Sequence, residues 1–299
     1  MKTIIIAGGS GFLGQVLEVY FNKRGYTINI LTRHPKRDND IYWNAKDLGP
    51  WTKALEDAEA LINLTGESVD CRYTETNKKL IHDSRIDATH VLGLAINLCE
   101  NPPKTWMNSS TATIYKGSLD KEMTEDHGDI GDDFSMNIAK SWESAFRSIT
   151  TPKTRKIVLR TAIVLGKTGG ALIPLKKLTL FGLGGKQGSG NQKVSWIHDL
   201  DFARAVAFLM NNKNLKGAFN LCVPKPTNNT TLMKALRTAI GIPFGIPHHN
   251  TLLALGAKLI GTETELVLKS RNVIPERLMA HGFTFKFTKI ESAMRDLIN

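Results

Sequence analysis

The chain has 299 residues, with 39 lysines and arginines against 28 aspartates and glutamates, so its formal net charge is +11. With 41% hydrophobic and 22% charged residues, the composition is that of a folded globular protein and excludes an intrinsically disordered chain. No stretch reaches the ~20 consecutive apolar residues that span a bilayer, and the three cysteines lack disulfide or zinc-ligand spacing. We therefore predict a cytoplasmic protein with no membrane partner and no metal site.

The excess of positive charge has two interpretations. Lysines and arginines occur in short groups along the whole chain, and no run of five or more like charges is present. This distribution favours a solvated surface over a face that binds a polyanion. Nucleic acid is therefore an alternative partner that is not favoured, and the oligomeric state is not predicted.

Strands and helices alternate in the first half of the chain. A β-branched run at 2–7 enters a glycine turn, a helix with apolar positions at 16–21 follows, and 27–31 alternates as a second strand. This βαβ unit predicts a parallel sheet. The later predicted elements are a strand at 60–64, a helix from about 74 to 99, a strand at 105–109, a helix at 137–149 and a strand at 157–159.

The alternation breaks after Gly166, where a glycine-rich segment begins. We predict a doubly wound parallel α/β Rossmann sheet with a smaller, mainly helical C-terminal lobe. The NADP-binding domain is predicted at 1–166, with 194–222 returning to it, and the substrate lobe at 167–193 and 223–299. Within that lobe, 182–190 is either a flexible lip over a substrate or a plain connecting loop.

Three glycines mark a candidate phosphate-binding turn between the first strand and the first helix. Gly8 permits the tight turn, Gly11 lets the backbone approach a pyrophosphate, and Gly14 allows close packing of the helix. The N-terminus of the helix offers unpaired N–H groups and a partial positive charge. The position of this motif predicts a dinucleotide site.

The end of the second strand indicates which dinucleotide is bound. NAD-selective sites usually place a carboxylate there to bind the ribose 2′-hydroxyl. Here the strand ends in Thr32 and Arg33, and the Arg33 guanidinium offers a planar donor fork to a 2′-phosphate. The sequence therefore favours NADP over NAD.

Together these motifs resemble the extended short-chain dehydrogenase/reductase superfamily, and within it an atypical branch of NADP-binding proteins named as nucleoside-diphosphate-sugar epimerases. The likeness covers nearly the whole chain, including the glycine turn, 62–67, 142–143 and 196–198. It implies an NADP cofactor and a small-molecule substrate with a hydroxyl or carbonyl group. The cofactor-binding residues that the resemblance implies are Gly8, Ser10, Gly11, Phe12, Leu13, Gly14, Thr32, Arg33, Leu64, Thr65, Gly66, Arg85, Lys140 and Ile163.

The resemblance also implies a catalytic Ser or Thr, a Tyr and a Lys. The segment 108–115 resembles the serine-rich stretch of the superfamily and puts the orienting hydroxyl on Thr111. At the place of the YxxxK motif stands Met136 to Lys140, which keeps the lysine that would hold the nicotinamide ribose but lacks the tyrosine. A thioether cannot exchange a proton in acid–base catalysis.

The missing tyrosine leaves three alternatives open. Tyr115 acts as a substitute acid, or it is a packing residue. His198 or Glu67 transfers the proton, or both are structural. Finally, the site binds NADP without turning it over. The leading hypothesis is thus an NADP-dependent oxidoreductase or epimerase-like enzyme with Thr111, Tyr115 and Lys140 as candidate catalytic residues, and the rival is a non-catalytic NADP-binding sensor or scaffold that contacts RNA.

Overall fold

The structure, a computed structural model, describes residues 2–249 and 268–298. Its strands are β1 Thr3–Ala7, β2 Thr27–Thr32, β3 Asp40–Tyr42, β4 Ala60–Asn63, β5 Thr105–Thr111, β6 Arg155–Thr161, β7 Ile163–Leu165, β8 Lys193–Val194, β9 Trp196–His198, β10 Gly217–Leu221 and β11 Thr227–Asn228. Its helices are α1 Phe12–Asn22, α2 Glu75–Leu98, α3 Phe134–Ser148, α4 Leu172–Leu180, α5 Asp199–Asn211, α6 Asn229–Ile240, α7 Glu276–Ala280 and α8 Ile290–Ile298. Single 3₁₀ turns lie at Pro50–Leu55 and Ala112–Ile114.

Seven parallel strands form the central sheet in the order β10-β6-β5-β4-β1-β2-β3. Strand β1 lies inside the sheet, and its Ile4, Ile5 and Ile6 are fully buried because both faces of a parallel sheet are covered. Strands β2 and β4 lie on opposite sides of β1, so the chain order reverses there, and ligands of such sheets bind at the carboxyl ends beside the reversal. The predicted doubly wound parallel sheet is confirmed.

Two apolar cores, one on each face of the sheet, hold the helices. Phe21 of α1 and Phe202 of α5 pack in one core, and Trp106 packs with residues of α2 in the other. The apolar side chains of α2 that the sequence places on one face are Leu80, Ile81, Ile86, Val91, Leu92, Ala95 and Leu98, but Leu80 and Leu98 are more than half exposed. The apolar positions of α2 that are buried are Ile81, Ala88, Val91, Leu92, Ala95 and Ile96.

Helix α3 begins at Phe134, three residues before the predicted start. Asp133 causes this early start, because its Oδ1 accepts a hydrogen bond of 2.9 Å from the Met136 N–H and caps the helix. The earlier start matters for function, because α3 forms one wall of the cavity described below.

The C-terminal part forms a third core, where α6 and α8 pack around Trp196, Met233 and Met294. Strand β10 returns to the central sheet beside β6, and two short pairs, β7 with β9 and β8 with β11, lie outside it. Buried Asp201 holds the chain before α8, because its carboxylate accepts backbone N–H bonds from Lys286 and Phe287. The predicted substrate lobe includes 250–267, which lies outside the described residues. None of the described helices has the length and apolar character needed to cross a bilayer.

Candidate functional site

The glycine turn after β1 has the close contacts that its sequence implies. Gly8 adopts φ +72°, and a β-carbon built there would lie 2.9 Å from the Thr65 Cα. A β-carbon at Gly14 would lie 2.1 Å from the Gly9 carbonyl oxygen, so neither position accepts a side chain. At Gly11 the nearest atom would be 4.0 Å away, and no side chain caps the first turn of α1. The backbone at Gly11 is therefore open to a ligand.

Two neighbouring cavities meet at this turn. The first, which we name the cleft, has a volume of about 440 Å³ and lies between the ends of β5 and β6 and the start of α3. The second, the side cavity, has a volume of about 410 Å³ and lies beside the end of β2. Both are lined by Leu64 and Gly66, so the pair could take a ligand made of two linked halves.

Most of the predicted cofactor residues lie around these two cavities. Gly14 lines neither cavity but makes the close contact described above, and Lys140 lines neither. Those on the cleft are Phe12, Leu13, Leu64, Gly66, Arg85 and Ile163. Those on the side cavity are Gly8, Ser10, Gly11, Thr32, Arg33, Leu64, Thr65 and Gly66.

Arg85 places a cation on the wall of the cleft. Its guanidinium packs over Gly66 and lies 5.1 Å from the Trp142 ring, and its hydrogen bond within the described chain goes to the Ile81 carbonyl at 2.8 Å. Burial lowers the pKa of Arg85 to about 10, and the nearby Glu67 partly offsets this effect. Arg85 remains a cation at neutral pH with donors left for an anion.

The side cavity carries charges of both signs. Arg33 is exposed and lies 4.0 Å from the Glu67 carboxylate, and Lys46 lies 3.9 Å from Asp87. Ala45 adopts φ +64°, and the Asn44 side chain accepts the Lys46 N–H at 3.0 Å, so this loop is held at the edge of the cavity. Both cations are exposed, and a phosphate group bound in the side cavity would compete with Glu67 and Asp87 for them.

Hydroxyl groups form the floor of the cleft at the end of β5. Thr111 Oγ1 donates to Thr113 Oγ1 at 2.9 Å and accepts the Thr113 N–H at 3.1 Å. Ser110 Oγ donates to the Glu143 carboxylate at 2.8 Å. Because a carboxylate can only accept, the hydrogen of Ser110 points away from the cleft and only its lone pairs remain for a ligand. The structure thus places Thr111 on the cleft, as the sequence predicts.

Tyr115 lies outside the cleft, in a buried polar cluster. Its hydroxyl donates to Asn220 Oδ1 at 3.0 Å and accepts from the Arg160 guanidinium at 2.6 Å. Arg160 is held in turn by two hydrogen bonds to the Glu143 carboxylate. Burial raises the pKa of Tyr115 to about 12, so it holds its proton firmly. This placement supports the packing interpretation over the substitute acid.

The lysine expected to hold the ribose points elsewhere. Lys140 pairs with Asp132 on the outer side of α3. Neither Met136 nor Lys140 lines the cleft, and the residues of α3 that do are Phe134, Ser135, Ile138, Ala139 and Trp142. The structure therefore corrects the expected placement of Lys140 at the ligand, because the α3 wall of the cleft carries neither the tyrosine nor the lysine of a YxxxK motif.

The other proposed proton-transfer groups also lie off the cleft. His198 is buried, caps α5 by accepting the Leu200 N–H at 3.1 Å, and stacks on Phe287. Glu67 lines the side cavity and not the cleft. The segment 182–190 contributes no residue to the cleft lining and is bonded to its neighbours, as between the Gly188 N–H and the His248 carbonyl at 2.8 Å.

Sequence reasoning missed several residues of the site. Tyr73 lines the cleft, with its ring centroid 4.7 Å from that of Phe134 and its hydroxyl oxygen buried. Among the described residues of the lining, Tyr73 and Arg85 are the ionisable ones. The available signal was an aromatic residue in a polar, non-periodic stretch before the Thr74 cap of α2. Lys46 lines the side cavity and was also missed, because it lies on a short loop that contains no motif.

Comparison with known proteins agrees with this geometry. Residues 4–136 match the NAD dependent epimerase/dehydratase family, and 252–297 match a domain of unknown function, DUF1731. An epimerase family protein of Staphylococcus aureus (strain NCTC 8325 / PS 47) is 33% identical over 302 residues, covering 100% of this chain and 99% of that protein. The chain belongs to the epimerase family. A mouse member, epimerase family protein SDR39U1, is 30% identical over 99% of both chains.

Solved structures of epimerase family proteins extend the likeness. Human epimerase family protein SDR39U1 (isoform 2), solved with NADPH, has a TM-score of 0.89 at 29% identity, covering 99% of both chains. A nucleoside-diphosphate sugar epimerase from Corynebacterium glutamicum has a TM-score of 0.80 at 25% identity, and this chain spans 58% of its length. These matches confirm the resemblance that the sequence motifs indicated.

Proposed function

We propose that the protein binds NADP(H) across the two cavities and exchanges a hydride with a small substrate that carries a hydroxyl or carbonyl group. The observation that carries the proposal is the meeting of the cleft and the side cavity at Leu64 and Gly66, with the open backbone of Gly11 on the lining of the side cavity. A dinucleotide has two halves joined by a pyrophosphate, and the unfilled first turn of α1 suits that anion.

The residues of the two cavities have separate roles in this proposal. Arg85 contributes its remaining donors to phosphate oxygens from the cleft side. Arg33 and Lys46 bind the 2′-phosphate at the side cavity, which supports NADP over NAD. The NADPH bound to human epimerase family protein SDR39U1 agrees with this choice.

A dinucleotide titration followed by nicotinamide fluorescence tests the binding step. We expect NADPH to bind at least about tenfold more tightly than NADH, because a charge-assisted phosphate contact contributes about 1.5–3 kcal/mol. Arg33→Ala should reduce this preference, and Arg33→Ala with Lys46→Ala should remove it. The matched control is Arg24→Ala, because Arg24 stacks on Tyr20 outside both cavities. Equal affinity for the two dinucleotides in the unmodified protein would refute the choice of NADP.

Arg85 provides a second binding test, independent of the 2′-phosphate. Arg85→Met keeps the apolar stem against Trp142 but removes the guanidinium. We expect it to weaken NADPH and NADH equally, by about tenfold or more, because both carry the pyrophosphate. A loss confined to NADPH would place Arg85 at the 2′-phosphate instead.

The chemical step is proposed from the cleft floor. A bound nicotinamide would supply or take up the hydride, and the substrate oxygen would exchange the accompanying proton with water in the cleft. Thr111 and Thr113 orient the substrate oxygen, and Ser110 accepts a hydrogen bond from a substrate hydroxyl through its exposed lone pairs. NADPH consumption with a panel of small aldehydes, ketones and sugar nucleotides tests this step. Thr111→Val should lower turnover while leaving NADPH affinity unchanged.

One observation favours a second function. No tyrosine or lysine of α3 lines the cleft, so the cleft wall lacks the usual proton donor of a YxxxK motif. A protein that binds NADPH tightly and consumes none of it with the whole panel would be a non-catalytic NADP(H) sensor or scaffold. The same two experiments therefore separate the two functions.

A further inference from the structure

Carboxylates are distributed unevenly along the chain. Residues 144–249 contain sixteen lysines and arginines, and Asp199 and Asp201 are the only acidic residues among them. Residues 1–143 contain sixteen lysines and arginines and twenty-one acidic residues. The formal charge of 144–249 is therefore +14, that of 1–143 is −5 and that of 250–299 is +2, so the net charge of +11 originates mainly in 144–249.

Four large apolar side chains lie exposed in this basic part. Phe181 is 81% exposed, Phe244 63%, Leu180 54% and Ile246 52%. They form one surface, because the Ile246 N–H bonds the Gly182 carbonyl at 2.9 Å and a β-carbon at Gly182 would lie 3.2 Å from the Phe244 ring. We name these four residues the apolar strip. An exposed patch of this kind in a soluble protein usually marks an interaction site.

Three lysines lie close to the apolar strip along the backbone. Lys176 and Lys177 lie on α4 one turn before Leu180 and Phe181, and the Lys186 carbonyl bonds the backbone of His248, two residues beyond Ile246. Among the residues that the structure describes, none of these three lysines forms an ion pair. The strip thus combines exposed apolar side chains with nearby uncompensated positive charges.

We propose that the apolar strip docks the protein on the surface of a membrane that contains anionic lipids. Leu, Ile and Phe side chains enter the boundary between headgroups and acyl chains, and each lysine near such a surface adds about 1 kcal/mol of attraction. The attachment is peripheral, because no described helix is able to span a bilayer. The proposal differs from the expectation, drawn from the sequence, that the protein has no membrane partner.

Two other occupants fit less well. A second copy of this chain, joined strip to strip, would bring two lysine-rimmed faces of the same sign together, and the like charges would repel. Single-stranded nucleic acid is bound by aromatic platforms on which bases stack. Half of the strip is aliphatic Leu180 and Ile246, which offer no such platform but suit acyl chains.

Co-sedimentation with lipid vesicles tests the proposal. The whole protein is spun with vesicles of phosphatidylcholine alone and of phosphatidylcholine with 30% phosphatidylglycerol, at low and high salt. We expect at least a fivefold larger bound fraction on the anionic vesicles, and a decrease as salt screens the lysines. Equal binding to both compositions, or no binding to either, would overturn the proposal.

Matched variants identify the surface. Phe181→Ser with Phe244→Ser should abolish vesicle binding, whereas Leu98→Ser with Leu119→Ser, also exposed apolar positions but in the acidic part, should leave it unchanged. Lys176→Glu with Lys177→Glu should reduce binding on anionic vesicles.

Phe181→Trp adds a reporter whose emission shifts to the blue on insertion. Binding to single-stranded RNA that the Phe variants weaken, with no vesicle binding, would assign the strip to nucleic acid instead.

Discussion

Lysines and arginines have many more carboxylates available as partners in residues 1–143 than in residues 144–249. In residues 1–143, lysines and arginines pair with nearby carboxylates, as Arg37 does with Glu18 and Asp40, and as Lys104 does with Glu59. In 144–249 carboxylates are scarce: Arg204 pairs with Asp201, and Arg147 and Arg160 pair with Glu143, which belongs to the acidic part. Lysines and arginines are spread along the whole chain, as noted above. The aspartates and glutamates, however, are concentrated in residues 1–143. Counting both signs by region is therefore more informative than the net charge.

The two parts meet in a buried polar cluster beneath the cleft. Glu143 and Tyr115 come from the acidic part, and Arg160 and Asn220 come from the basic part. Glu143 is 4% exposed and Arg160 6%, and their two hydrogen bonds measure 2.8 and 2.9 Å. The cluster also reaches the ligand site, because Ser110 on the cleft floor donates to Glu143.

Removing one side of this buried pair should have the largest effect on stability. Glu143→Leu leaves the Arg160 guanidinium buried without its carboxylate, which costs about 3–5 kcal/mol. The free energy of unfolding from urea titration checks the value.

The control for Glu143→Leu is the double variant Glu143→Leu with Arg160→Leu, which removes both charges. It should recover much of the lost stability, since an apolar pair can replace a buried ion pair at little cost. A single variant as stable as the unmodified protein would show that the two parts do not depend on this contact.

The sequence predicts the fold better than the details of the site. The sheet is predictable from the isoleucine run of β1, the glycine turn and the alternation of strands and helices. These signals are local, because they come from the periodicity of apolar residues along the chain. Lys140 was expected to face the ligand, but it does not line the cleft. Consecutive residues of a helix differ by about 100° in direction, so an error of one position is enough to turn a side chain away from a cavity. Tyr73 and Lys46 come from loops whose course depends on long-range packing, which no local pattern encodes.

Tyr115 gives a smaller, pH-dependent test of the same cluster. Its pKa is raised to about 12 by burial, whereas an unfolded tyrosine ionises near pH 10. The neutral phenol therefore stabilises the fold fully below about pH 10, and this contribution is lost as the pH rises from 10 to 12. Compared with Tyr115→Phe, the unmodified protein should lose about 1 kcal/mol more between pH 8 and pH 11. Parallel loss in both proteins would exclude Tyr115 as the cause.

Removing one surface lysine should change the free energy of unfolding only slightly, and in opposite directions in the two parts of the chain. Lys104→Gln removes the 2.9 Å pair with Glu59 and should lower the free energy of unfolding by up to about 1 kcal/mol. Lys234→Gln, on α6, removes a repulsion with Arg237 three residues later and should raise the free energy of unfolding by about 0.3 kcal/mol. The effect of Lys234→Gln should nearly vanish in 1 M salt, whereas that of Lys104→Gln should decrease less, because the Glu59 side chain is only 14% exposed. If Lys234→Gln lowered stability at low salt, the uncompensated positive charge of 144–249 would not be a cost to the fold.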